Sequence, residues 1–102
     1  MEKLNRFHTI AFNHKRLSLE VVGKFHIDED NQARVLTSLK EKLGLEELMF
    51  LSTCNRVEFF MVSEQVKTAE DILASGLFNL SEENALMAKS NAEIHFGKDA
   101  VR

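Results

Sequence analysis

The chain predicts an α+β domain, a mainly antiparallel sheet with helices packed on one face. Three observations carry this reading. Segments of strand and helix character follow one another in the order β-α-β-β-α-(α)-β along 102 residues. Two strand segments, 47–53 and 56–63, are separated by only two residues, which allows a tight antiparallel turn and no crossover. The segment 29–43 carries an apolar stripe at helical spacing that can lie on such a sheet.

The elements are justified in chain order. "RFHTIAFN", residues 6–13, has strand periodicity, with His8, Ile10 and Phe12 facing one way and Phe7, Thr9 and Ala11 the other. Asn13-His14-Lys15 break that pattern, and "LSLEVVGKF", residues 17–25, reads as a short helix ending near Gly23. In 29–43, Ala33, Leu36, Leu39 and Leu43 recur every three or four residues. Asp28 stands where it can cap that helix, with Glu29 and Asp30 in the first turn, Lys40 and Lys42 in the last, and Gly44 at C′. "ELMFLST", residues 47–53, is a continuous apolar run and predicts a strand buried on both faces. "RVEFFMVS", residues 56–63, alternates, with Phe59 and Met61 opposite to Phe60 and Val62. Thr68 and Asp71 have capping-box spacing ahead of Ile72, Leu73, Leu77 and Phe78. Ser81 opens a helix through Lys89 that uses Ala85, Leu86 and Met87. "AEIHF" predicts a last short strand, and "GKDAVR" the start of a further helix. No linker, repeat or low-complexity run divides the chain, so residues 1–102 read as a single domain. The arrangement is a ferredoxin-like βαββαβ.

Composition narrows the function classes. A formal net charge of -3 argues against a domain built mainly to coat nucleic acid. One cysteine makes no internal disulfide and fits a reducing compartment. No signal-peptide core and no apolar run approaching about 18–20 residues occurs, so a cytoplasmic chain without a membrane segment is expected. His8, His14, His26 and His95 are nowhere paired at short ligand spacing, so no metal site is expected. His14 sits at a strand end and reads as an ordinary turn residue, and His95 as a strand residue with a satisfied hydrogen bond. No G-x-G-x-x-G occurs, so no dinucleotide site is expected within the chain. The eight phenylalanines suggest base stacking as in RNA-binding sheets, or core packing. Core packing is favoured for most, because Phe59 and Phe60 point to opposite faces.

"LSTCNRVE", residues 51–58, holds the single cysteine at a turn after an apolar strand. A lone cysteine most often packs in a core. Its neighbours Ser52, Thr53, Asn55 and Arg56 are polar and suit a nucleophile instead. Arg56 can favour the thiolate, and turn N–H groups can receive an oxyanion. Both readings stand on these residues alone.

The same string, Ser52-Thr53-Cys54-Asn55-Arg56, resembles the most characteristic motif of the glutamyl-tRNA reductase family. "FNHK" (12–15), "ELMFLSTCNR" and "KDAVR" (98–102) resemble further stretches of that family, in the same order and spacing. The resemblance covers nearly all of this chain and only the first part of the family's length. It implies an N-terminal catalytic domain of a longer enzyme, in which Cys54 attacks the ester of glutamyl-tRNA and keeps the glutamyl group as a thioester. Arg56 would hold a substrate carboxylate, with Thr53 and Asn55 completing the pocket. NADPH, bound by a domain this chain does not contain, would reduce the thioester to glutamate-1-semialdehyde, on the route to tetrapyrroles and haem. The full enzyme would be a homodimer formed through other domains. The family's important histidine would follow Arg102. After "NHK" the family usually reads Thr-Ala-Pro, where this chain has Arg16-Leu17-Ser18, and Val22-Gly23 replace a common Arg-Glu pair. Two other readings compete: a small α+β binding or regulatory module with an inert cysteine, and an RNA-binding sheet without chemistry.

Overall fold

In the computed structural model, which describes residues 7–96, β1 (Phe7–Asn13) runs through the interior of a four-stranded sheet ordered β2-β3-β1-β4. β2 (Glu47–Ser52) and β3 (Arg56–Val62) form the expected hairpin, and β4 (Glu93–Phe96) closes the other edge. All three strand pairs are antiparallel. The hairpin lays β3 beside β1, so β1 has a neighbour on each side and is buried from His8 to Asn13. This is the ferredoxin-like strand order.

The helices are α1 (Leu19–Gly23), α2 (Glu29–Leu43), α3 (Ala69–Ala74) and α4 (Glu82–Asn91). Their starts are written in the sequence. Ser18 and Ser81 accept N–H bonds from Val21 and Asn84, and Thr68 and Asp71 form a reciprocal capping box. Gly44 adopts φ 64, which lets Leu45 N–H reach back to the Lys40 carbonyl at 3.0 Å and ends α2. Asp28 occupies the N-cap position of α2, but its side chain makes no capping bond.

The register decides which side chains share a face. Ile10 lies opposite Phe59 and Ile94, and Phe12 opposite Val57. With His8, Met61, Leu48 and Phe50 these make the face that the helices cover. Leu17, Val21, Val22, Phe25, Leu39, Ala69, Ile72 and Ala88 bury against it. Phe12 stacks on Phe25 at 3.9 Å between ring centroids, and Phe78 meets both Phe25 and Phe59. Most phenylalanines are thus core residues, as expected. His8 is fully buried, and its Nε2 accepts the Lys67 N–H at 3.0 Å.

Four expectations need correction. β2 is an edge strand with only one buried side, so Met49 and Leu51 are exposed on the face that no described helix covers. In α2 Leu39 is buried and Leu36 and Leu43 are partly buried, but Ala33, the first residue of the expected stripe, is exposed. In α4 the side turned to the core carries the small Ala85 and Ala88, so Leu86 and Met87 point outward. α3 ends at Ala74, where Ser75 Oγ donates to the Ile72 carbonyl and Gly76 takes φ 78. Leu77 and Phe78 therefore reach the core from a loop. The helix expected over "GKDAVR" lies outside the described residues.

One-sided coverage makes a direct prediction for stability. Phe59→Ala empties a site shared by three aromatic rings and should cost about 3–5 kcal/mol in chemical denaturation. Met49→Ala, on the uncovered face, should cost less than about 1 kcal/mol.

Candidate functional site

The β2–β3 turn is built from a two-residue link. Ser52 pairs with Val57, so Thr53 lies opposite Arg56, and Cys54 and Asn55 form the tip. Thr53 N–H donates to the Arg56 carbonyl at 2.8 Å, and Asn55 N–H donates to Thr53 Oγ1 at 3.4 Å. No non-glycine residue among those described has positive φ, so the tip forms without the primed turn geometry that short hairpins favour. A bond from outside the hairpin supports it. The His14 N–H donates to the Asn55 carbonyl at 2.8 Å.

That bond ties the turn to the loop after β1. Asn13 Oδ1 accepts the Lys15 N–H, and the Asn13 carbonyl accepts N–H groups of Arg16 and Leu17. His14 Nδ1 is 2.9 Å from the Leu17 carbonyl; a carbonyl only accepts, so this ring nitrogen carries the proton. The two sequence stretches singled out, "NHK" and "STCNR", are therefore neighbours at one end of the sheet. Ser52 lies at the same end and its hydroxyl pairs with His26 Nδ1 at 3.2 Å.

Cys54 is exposed, with a free thiol. Its backbone N–H has no acceptor among the described residues. Burial in the core, the commonest fate of a lone cysteine, does not apply to it. Thr53 and Asn55 are exposed beside it, and their bonds shape the turn.

Arg56 projects onto the face of the sheet opposite the helices. Its Nη2 donates to Glu58 Oε2 at 3.1 Å and lies 3.6 Å from Glu93 Oε1. Glu58 and Glu93 stand on either side of Ala11 in the register, and the small Ala11 side chain leaves room for the guanidinium to bridge them across β1. Arg16 Nε is 3.5 Å from Glu93 Oε2, and His95 Nε2 is 4.0 Å from Glu93 Oε1. His95 thus faces a carboxylate where a hydrogen bond was expected. Asn13, Lys15, Arg16, Arg56, Ala92, Glu93, Ile94 and His95 line an open cleft of about 520 Å³. Its charged lining is three basic side chains against one carboxylate, an arrangement that suits an anion. Cys54 belongs to the tip of the turn and is not among the lining residues.

The sequence singles out Cys54, Thr53, Asn55 and Arg56; the structure adds Glu58, Glu93 and Arg16 as charged neighbours of Arg56 or of its counter-ion. Glu58 was legible, two residues after Arg56 on one strand face. Glu93 was not, because its place beside Arg56 needs the pairing of β4 with β1.

The sequence profile described as "Glutamyl-tRNAGlu reductase, N-terminal domain" matches residues 10–102. The chain belongs to this family. Among curated glutamyl-tRNA reductases, that of Flavobacterium psychrophilum is 40% identical over 58 residues, covering 57% of this chain and 14% of the relative. That of Syntrophotalea carbinolica is 29% identical over 96 residues, covering 94% of this chain and 22% of the relative. The solved glutamyl-tRNA reductase of Methanopyrus kandleri superposes with a TM-score of 0.59 at 22% identity, over 95% of this chain and 20% of that one. This structural likeness shows a shared fold. The chain spans less than a quarter of the length of these glutamyl-tRNA reductases. No helix among the described residues is long and apolar enough to cross a membrane.

Exposure of the thiol is directly measurable. Cys54 should react with an aromatic disulfide reagent in the native protein within about tenfold of its rate in the unfolded chain. Protection of about a hundredfold would contradict the turn geometry.

Proposed function

We propose that this chain is the N-terminal catalytic domain of a glutamyl-tRNA reductase and that Cys54 is its nucleophile. The observation that supports this best is the exposed Cys54 at the tip of a turn fixed by the β-hairpin and the His14 bond. A nucleophile must reach a bulky aminoacyl ester while its own backbone stays in place.

In this reading the Cys54 thiolate attacks the ester carbonyl of glutamyl-tRNA. A carbon–sulfur bond forms, the carbon–oxygen bond to the ribose breaks, and the ribose oxygen leaves with a proton. The Cys54 N–H, which has no acceptor among the described residues, is a donor within the turn for the oxyanion that develops. The product is free tRNA and a glutamyl thioester, which accepts hydride more readily than an ester does.

Arg56 recognises the side-chain carboxylate of glutamate. Its described contacts use Nη2, and both forked edges of the guanidinium, Nη1/Nη2 and Nε/Nη2, include that nitrogen, so a substrate carboxylate takes such an edge as the longer of the present contacts yields. Thr53 and Asn55 keep the wall of the pocket in register with Arg56 through the turn bonds.

The residues present do not fit a dinucleotide. β1 is followed by Asn13-His14-Lys15-Arg16 and carries no glycine-rich phosphate turn. In this proposal the reduction to glutamate-1-semialdehyde, for tetrapyrrole synthesis, belongs to a part of a longer protein that holds NADPH. That protein is cytoplasmic and homodimeric through its other parts.

The test is covalent. The protein is mixed with glutamyl-tRNA, quenched in acid, and mapped by mass spectrometry. A single glutamyl group on Cys54 is expected, and Cys54→Ser should lose at least about a hundredfold in tRNA release. An unmodified Cys54 in a protein that consumes glutamyl-tRNA would overturn the assignment.

Arg56→Gln should raise the KM for glutamyl-tRNA by about tenfold or more, read in steady-state kinetics, and leave Cys54 reactive toward disulfide reagents.

A further inference from the structure

The counter-charges around Arg56 are not equivalent. Glu58 lies on the same strand, two residues on, and makes a hydrogen bond to Nη2 at 3.1 Å. Its side chain is 17% exposed. Glu93 comes from the edge strand β4 and approaches the same nitrogen only to 3.6 Å, without a hydrogen bond. Its other oxygen is 3.5 Å from Arg16 Nε, and Arg16 is 59% exposed on a loop. One carboxylate therefore stands between two guanidinium groups inside the open cleft, and each can take it.

We propose that Glu93 is an exchangeable internal counter-ion for Arg56, and that glutamate binding displaces it toward Arg16. This rests on the reading of Arg56 as the carboxylate-binding residue. Glu58 anchors the guanidinium from within the strand. Glu93 adds a second negative charge beside it, at 3.6 Å, in the place a ligand carboxylate would take. An incoming carboxylate takes the guanidinium edge, and Glu93, repelled by the new negative charge, shifts its weight to Arg16. His95, 4.0 Å from Glu93, and Lys15, in the lining, are the other basic groups facing this exchange. Glu93 is a positioning residue in this scheme. It touches Arg56 and sets how much of its charge a ligand meets.

Opposite signs for two partners of one ion pair make the test specific. The probe is glutamate α-methyl ester, which keeps the side-chain carboxylate and an ester in place of the tRNA linkage. Its binding to the protein is followed by NMR. Glu93→Gln removes the competitor and should tighten the probe about two- to fivefold, the scale of a partly exposed ion pair. Glu93→Asp, shorter by one methylene, should also tighten it, which guards against an effect peculiar to the amide. Arg16→Gln should weaken it about twofold, because Glu93 then loses the guanidinium toward which it would be displaced. In the Glu93→Gln background the Arg16 substitution should lose that effect.

Equal or weaker probe binding in both Glu93 variants overturns the exchange and makes the cluster a scaffold. If Arg56→Gln meanwhile abolishes probe binding, the carboxylate assignment of Arg56 stands without the exchange. If Arg56→Gln leaves probe binding unchanged, both readings fall. An Arg16 effect that persists in the Glu93→Gln background also overturns the proposal, since Arg16 would then act on the ligand itself.

Discussion

The antiparallel register of β1 against β3 is the constraint on which the rest depends. It sets Asn13 beside Arg56 and so brings the end of β1 to the start of β3. From there one backbone bond, His14 N–H to the Asn55 carbonyl, joins two loops that are 41 positions apart in the chain (14 to 55). Such a bond contributes only about 0.5–1.5 kcal/mol. Its effect on geometry is larger, because the turn it holds is only two residues long. A slip of one residue between β1 and β3 would turn Phe59 away from the helices and Arg56 toward them. Core and candidate site are thus specified by the same pairing.

The sheet uses its two faces differently. One is covered by helices and packed with aromatic rings. The other keeps Arg56, Glu58, Glu93 and His95 at one end, with Met49 and Leu51 on the exposed edge strand. On that face the charged side chains pair with one another and stay partly exposed, where a ligand can reach them. Ala11 matters here for its size. A larger side chain between Glu58 and Glu93 would lie where the Arg56 guanidinium crosses β1.

Much of the fold was legible, and the failures share a cause. Strand alternation in 7–13 and 56–62, the serine and threonine caps, and the glycine after α2 are local signals with local physics. The two-sided burial expected of β2 was wrong because an apolar run says nothing about position in a sheet. Leu86 and Met87 were expected inside because they are large and apolar. Small alanines took that side of α4 instead, where a helix can approach closely. Leu77 and Phe78 were assigned to a helix that stops at Ala74, yet Phe78 still reaches the core, since burial depends on where a loop passes.

The sequence by itself determined the α+β class, the hairpin that carries Cys54, and the family, because a contiguous motif and local periodicity survive without any knowledge of contacts. Tertiary structure alone decided that Cys54 is exposed, that His14 supports the turn, and that Arg56 shares its charge with Glu58 and Glu93. The physical reason is that burial and charge pairing are properties of neighbours in space. Glu93 stands 37 positions beyond Arg56 in the chain (56 to 93), and only the pairing of β4 with β1 brings the two together.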